Sequence, residues 1–424
     1  MKKKILKYLH FLDSNIATYP TIIALFLLCL SFVIVNVESD ILNELIESKA
    51  PNLIIKDVET SRSILSTLIG GIISLTVFSF SMVMVLLSQA SSSFSPRLLP
   101  GLISDHKNQV VLGMYLGTIA FNIIILINLT SKGEEQSIVG FGVLASIILG
   151  FVCLAFFVFF IHSISNAIQI EHILKNIHLN ANNAICGLKE KFESSESQQV
   201  ATETESWFAI KAKKSNYFQG VEKEELCRLA DELNTDIQVH LVKGEFVHNG
   251  ALIVHTSKEL SENENEKLLS CLIFSGQKKE EFNFVLGIQE ITEVGIKAMS
   301  PGINDPGTAI ITLNYLSQLF QECLTLSEWE VERSKGNHLL AVKVFDFETM
   351  LYNTFASYRQ YCKHDYVLME KLLKTLKYLL RQDFLSKEFR QVVIEQISIL
   401  KEDAIQSLMN ESDRKKFLKT ADVL

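Results

Sequence analysis

The residues whose types and spacing invite a chemical reading fall in three places. The first is Ser300-Pro301-Gly302-Ile303-Asn304-Asp305-Pro306-Gly307-Thr308, which compresses two prolines, two glycines and an Asn-Asp pair into one short segment. Asp305 suits a helix N-cap and Pro306 the first helical position after it. The helix beyond would open on free N–H groups, which attract anions. The bland account is a rigid helix–helix corner. The functional one is a loop that takes an anionic ligand or a protein partner through Ser300, Pro301, Gly302, Asn304, Asp305, Pro306 and Thr308. The second place is a run in which Thr67, Ser74, Ser81 and Ser88 recur every seven residues, joined by Gly70 and Gly71. Seven residues are about two helical turns, so these small groups share one stripe of a helix. Such a stripe is either a seam where helices pack closely or a hydroxyl-lined path for ions or small solutes. The third is the trio His240, His248 and His255. It shares a strand-rich stretch but has no acidic or cysteine partner at ligand spacing, so no metal is expected.

Enzyme signatures are missing from the sequence. There is no P-loop, GxSxG or HExxH, and the histidines are dispersed. The seven cysteines form no CxxC pair and suit buried thiols in a reducing compartment. The expectation is a protein without a cofactor and without a catalytic constellation.

The elements that must position these groups begin in lipid. The 424 residues are 48% hydrophobic and the mean hydropathy is +0.23, which implies a non-aqueous solvent for part of the chain. Four stretches, 20–37, 64–87, 110–129 and 138–161, lack Asp, Glu, Lys, Arg and His. Each approaches the ~20 residues that cross a bilayer core. The first comes after Lys2, Lys3 and Lys4 without a cleavage-like exit and reads as an uncleaved signal anchor, with a re-entrant element as the alternative. Lys2, Lys3, Lys4 and Lys7 hold the leading tail in the cytoplasm, and the acid-rich loop 38–63 suits the outside. Arg97 and Lys107 bring 88–109 back inside, so both termini are expected in the cytoplasm. Ionisable groups mark proton relays in membranes, and their lack in the spans argues against a proton-coupled transporter within one subunit. Asn122 and Asn128 are expected to hydrogen-bond between helices.

Residues 1–161 carry as many basic as acidic side chains, so the whole net charge of −8 falls on 162–424. An acidic soluble part disfavours nucleic acid as a partner. The pattern predicts a helical stalk and linker over 162–195, continuous with the last span, then a small β-rich module over 196–280. A mainly helical domain, with one strand at 338–345, occupies 281–424. The fold class is therefore a membrane all-α unit of four helices plus a cytoplasmic α+β domain. Within the module, Gly244 and Gly250 flank Phe246-Val247 in a run similar to a turn of lipoyl/biotinyl-type domains. The modifiable lysine hairpin is absent, which leaves an unmodified β-barrel-like module.

Two motifs carry a wider resemblance. Gln89-Ala90-Ser91-Ser92-Ser93-Phe94-Ser95-Pro96-Arg97-Leu98-Leu99 lies at the water edge of the second span, and Ser300-Pro301-Gly302-Ile303-Asn304-Asp305-Pro306 stands far downstream. Together they make the chain similar to the bacterial predicted-membrane-protein family called domain of unknown function 2254, over nearly its whole length. Ser163 stands where the family pattern suggests a second histidine after His162. The resemblance implies a bacterial inner-membrane location, gives Ser95, Pro96 and Arg97 as a family-motif interface loop, and supplies no reaction. The leading expectation is an oligomeric channel-like or transport-related protein with a cytoplasmic regulatory domain. The alternative is a membrane-anchored sensor or scaffold that binds a ligand or protein partner. Its expected partners are the lipid bilayer and further copies of itself.

Overall fold

In the computed structural model, residues 17–36, 55, 57–93, 106–131, 140–167, 169–194, 206–276 and 283–422 are described. The chain divides into two compact units, Met1–His172 and Ile173–Leu424.

The first unit contains α1 (Thr18–Asn36), α2 (Val58–Ser93), α3 (His106–Ser131) and α4 (Gly140–Ala167). All four are long and apolar enough to cross a membrane, with mean hydropathies of 2.3, 2.2, 2.4 and 2.9. Helices form here because in lipid every backbone N–H and C=O must be satisfied within its own segment. Two core clusters join them. Leu65, Phe121, Ile125 and Val143 form one; Ile72, Val111, Tyr115, Cys153, Phe160 and Ile164 form the other. Close approach is set by glycine. A Cβ on Gly113 would lie 2.9 Å from Pro20 Cα, one on Gly117 2.6 Å from Leu27 Cδ1, and one on Gly150 2.8 Å from Leu68 Cδ2. Gly113 and Gly117 are a G-x-x-x-G pair that seats α1 on α3. Asn128 bonds back to the Ile124 carbonyl of its own helix at 2.9 Å. Asn122 is fully buried, and among the described residues neither atom of its amide has a hydrogen-bond partner. The interhelical bonds expected of this pair are therefore not made.

The last span does not run on as a stalk. α4 ends at Ala167, and a separate helix, α5 (Ile170–Ser194), comes next. Its apolar stripe of Ile173, Leu174, Ile177, Ala181 and Ile185 is buried. Within the second unit His178 lies against the Tyr315 ring, centroids 4.8 Å apart, and Lys189 pairs with Glu322 at 2.6 Å. A stripe at three- and four-residue spacing marks a packed face, which is why this helix joins the second unit instead of standing free.

The rest of the second unit runs β1 (Phe208–Lys211), β2 (Asn216–Val221), α6 (Lys223–Leu233), β3 (Ile237–Val239), β4 (Phe246–Val247), β5 (Leu252–Thr256), α7 (Glu262–Ser270) and β6 (Leu272–Ser275). It continues with α8 (Phe284–Ala298), α9 (Pro306–Cys323), β7 (Trp329–Arg333), β8 (Leu339–Lys343), α10 (Phe347–Cys362), α11 (Tyr366–Leu380), α12 (Lys387–Ser407) and α13 (Glu411–Asp422). A five-stranded sheet has the order β1-β5-β3-β8-β7, and a three-stranded sheet the order β4-β2-β6. β3 and β8 are parallel, Gln238 opposite Ala341, and the other pairs are antiparallel. The β-rich stretch is thus no barrel-like module on its own. It borrows β7 and β8 from the helical region to finish its sheet. The β-core packs Leu226, Leu229, Ile237, Val239, Ile253 and Leu340 together.

The helices α8 to α12 each start on a polar cap: Asn283, Asp305, Asp346, Asp365 and Ser386 all accept from an N–H three residues on. Between them Phe320, Phe347, Phe355 and Tyr358 are fully buried. The buried Arg359 guanidinium is held by Asp403 at 2.9 Å and by the Gln396 carbonyl at 3.0 Å. A buried cation needs this pairing to offset its lost hydration.

Candidate functional site

The proline-glycine loop between α8 and α9 has a fixed backbone. Asp305 N donates to the Ala298 carbonyl at 2.7 Å, while Ile303 N and Asn304 N both donate to the Ser300 carbonyl at 3.0 Å. Asn304 has φ of +48°, a left-handed conformation that asparagine tolerates better than most residues. Pro301, Gly302, Asn304, Asp305 and Pro306 are exposed, Ser300 is half-buried and Thr308 is buried. Asp305 is the N-cap and Pro306 sits at the helix start, as their types suggest. The Asp305 carboxylate accepts from Thr308 N at 3.1 Å and from Thr308 Oγ1 at 2.6 Å. These bonds hold its carboxyl below the usual carboxylate range. The protein's own carboxylate therefore occupies the helix start where an external anion was expected, and a second negative charge there would be repelled. Beneath the loop α8 and α9 both pack against Tyr358 of α10. Thr312 and Tyr358 share a hydrogen bond at 2.7 Å, and a Cβ on Gly295 would fall on the Tyr358 hydroxyl.

The small-residue stripe of α2 lies on the outside of its own bundle. Thr67, Gly70, Gly71, Ser74, Ser81 and Ser88 are all exposed, whereas Leu65, Ile72 and Ser79 on the other face are buried. A Cβ on Gly70 or Gly71 would meet nothing within 4 Å. Thr67 and Ser74 spend their hydroxyls on the carbonyls four residues back, at 2.8 and 2.9 Å. Among the described residues the stripe is not a packing seam; the glycines of α3 and α4 have that role. The G-x-x-x-G spacing in α3 is the sequence signal for it. Ser95, Pro96 and Arg97 lie outside the described residues.

Of the three histidines, two meet. His255 Nδ1 and His240 Nε2 are 2.8 Å apart, with the Trp329 ring edge-on to His240 at 5.3 Å. Burial, then the neighbouring His255 and Lys343, push His240 down to about 4. His248 lies instead against the Phe246 ring, 5.1 Å between centroids. Among the described residues, no group of three or more His, Cys, Asp or Glu side chains converges on a metal position.

Four apolar helices of membrane-crossing length, followed by a large mixed helical and sheet unit, define the class: a membrane protein. The chain belongs to the predicted membrane protein family DUF2254, whose profile matches residues 13–378. It is 26% identical over 364 residues to an uncharacterized protein of Mycobacterium bovis, covering 82% of this chain and 67% of the relative. An uncharacterized protein of Mycobacterium tuberculosis matches to the same extent. No solved structure matches.

Proposed function

We propose that the protein is an oligomeric channel-like or transport-related protein of the bacterial inner membrane, with both termini in the cytoplasm and the second unit acting as regulator. No reaction is assigned to it. The observation that carries this reading is the outward-facing stripe of α2. Within one copy the bundle interior is filled by Leu65, Phe121, Ile125 and Tyr115, so a conducting path would run between copies. Small residues let helices from neighbouring copies approach closely in lipid, and the hydroxyls of Ser74 and Ser81 would then line the axis. The orientation rests on the lysines of the leading tail and the acid-rich loop 38–63. The test is reconstitution of the purified full chain in planar bilayers. Discrete conductance under voltage, tension or acid shift is expected, lowered by Ser74→Leu. Silence under all three overturns the channel.

A second reading, a membrane-anchored sensor or scaffold, draws on the exposed and rigid 300–308 loop. It expects a protein partner captured by the full chain to be lost on Pro301→Ala with Asn304→Ala. Retention of the partner would remove the loop from consideration.

A further inference from the structure

Between α11 and α13 the surface sinks into an open groove of about 550 Å³ lined by Lys374, Lys377, Tyr378, Arg381, Lys419 and Thr420. That volume lies within the range of small-molecule sites. Residues 374, 377 or 378, and 381 stand at helical spacing, so α11 and its C-cap Arg381 present them on one face, and α13 brings Lys419 and Thr420 to the opposite side. The walls are more apolar than polar, because long basic side chains and a tyrosine contribute stems and a ring while their heads reach water.

The charge balance here is the reverse of the acidic chain around it. Glu370 holds Lys374 at 2.9 Å and Asp422 holds Lys401 at 2.9 Å. Lys377 Nζ donates to the Thr420 carbonyl. Arg381 and Lys419 are exposed, with no side-chain hydrogen bond or ion pair among the described residues. Burial, then Lys401 and Arg381, lower the Lys377 amine against the opposing pull of Asp422, and just outside the groove burial, then Lys374, lowers Lys371. An ordinary solvated basic face spreads its charges and pairs them along one helix. Here basic groups from two helices converge on a concavity. The Tyr378 hydroxyl is tied to Gln321, which fixes the ring as a platform.

We propose that this groove binds a phosphate-bearing anion with an apolar or aromatic body, the phosphate engaging Arg381 and Lys419 and the body lying along Tyr378. Arginine and lysine are suited to phosphate through charge-assisted hydrogen bonds, and the apolar walls suit the remainder. Two sources share this chemistry, a lipid headgroup and a soluble nucleotide. The detergent-solubilised full chain is titrated calorimetrically with ATP and, separately, with dihexanoyl phosphatidic acid. At least one should bind, and the double variant Arg381→Gln/Lys419→Gln should weaken it about tenfold or more, as expected for lost charge-assisted bonds. Lys335→Gln, an exposed lysine outside the groove, should leave affinity unchanged, and Arg381→Lys should retain part of it. Loss of ATP binding alone identifies a soluble ligand; loss of phosphatidic acid binding alone identifies a lipid. Should neither probe bind at millimolar concentration, or should both bind the double variant as tightly as the natural chain, the proposal is overturned. Unchanged thermal unfolding of the variant separates lost binding from lost folding.

Discussion

At the scale of single residues, Asp305 and His240 illustrate what one side chain can report. Asp305 caps α9 through both Thr308 N and Thr308 Oγ1. Asp305→Ala should cost about 1 kcal/mol of stability, and Asp305→Asn only part of that, because asparagine caps nearly as well; thermal unfolding of the solubilised protein measures both. Thr308 lowers the folded carboxyl relative to the unfolded one. Its contribution is therefore complete above the unfolded value and is lost as pH falls through the lower folded value. His240 runs on the same logic with a different window. The unfolded imidazole titrates near 6.5 and the folded one near 4. As pH falls between those values the unfolded chain takes a proton that the folded chain refuses, so stability drops across that window and levels below it. His240→Gln should flatten that segment of a stability–pH profile, and an unchanged slope would deny His240 the role. The cap is legible in the Asp-Pro pair because its chemistry is local. The His240–His255 meeting is legible only as a trio sharing one stretch, since it depends on β3 pairing with β5, Gln238 opposite His255, and sequence spacing does not set that register.

At the scale of elements, the apolar runs announce α1 to α4, whose helices extend to Thr18–Asn36, Val58–Ser93, His106–Ser131 and Gly140–Ala167. Hydropathy is a sum over many residues and survives local exceptions. Other elements are hidden for physical reasons. β7 reads Trp-Glu-Val-Glu-Arg and is an edge strand with half-buried side chains, so its charges mask a strand that only β8 stabilises. α5 reads as a stalk because the same amphipathic stripe serves a packed helix or a free one. The packing of α1 on α3 is spelled by the G-x-x-x-G pair Gly113 and Gly117, not by the longer stripe of α2. Gly117→Leu should disrupt that contact, where a side chain would meet Leu27 and Ala24, and destabilise the solubilised protein by about 1–3 kcal/mol. Gly70→Leu, facing open space, should leave the stability of a single copy unchanged. Equal losses in thermal unfolding of the two variants would contradict the assignment of Gly113 and Gly117 as the seat of α1 on α3.

At the scale of the whole molecule, the division into a membrane unit and a larger second unit is legible in the contrast between charge-free runs and an acidic remainder. The boundary itself is displaced. The last charge-free run ends at 161, whereas the compact units part at His172, because α4 continues to Ala167 beyond its charge-free stretch. Nor does the sequence say which way the α2 stripe faces, since a glycine–serine seam looks the same from inside or outside a bundle. Facing outward, it makes assembly of several copies the claim on which the proposed function stands. Disulfide trapping tests it most directly. Cys29 and Cys186, exposed where the sequence suggests buried thiols, are replaced by serine. Cysteine is then introduced at Ser74, at Ser81 or, as a lipid-facing comparison, at Val158, which is 69% exposed on α4. Oxidation in native membranes should give a dimer-sized product for Ser74→Cys or Ser81→Cys and none for Val158→Cys. Monomer alone at both stripe positions, or equal trapping at Val158, would contradict the account.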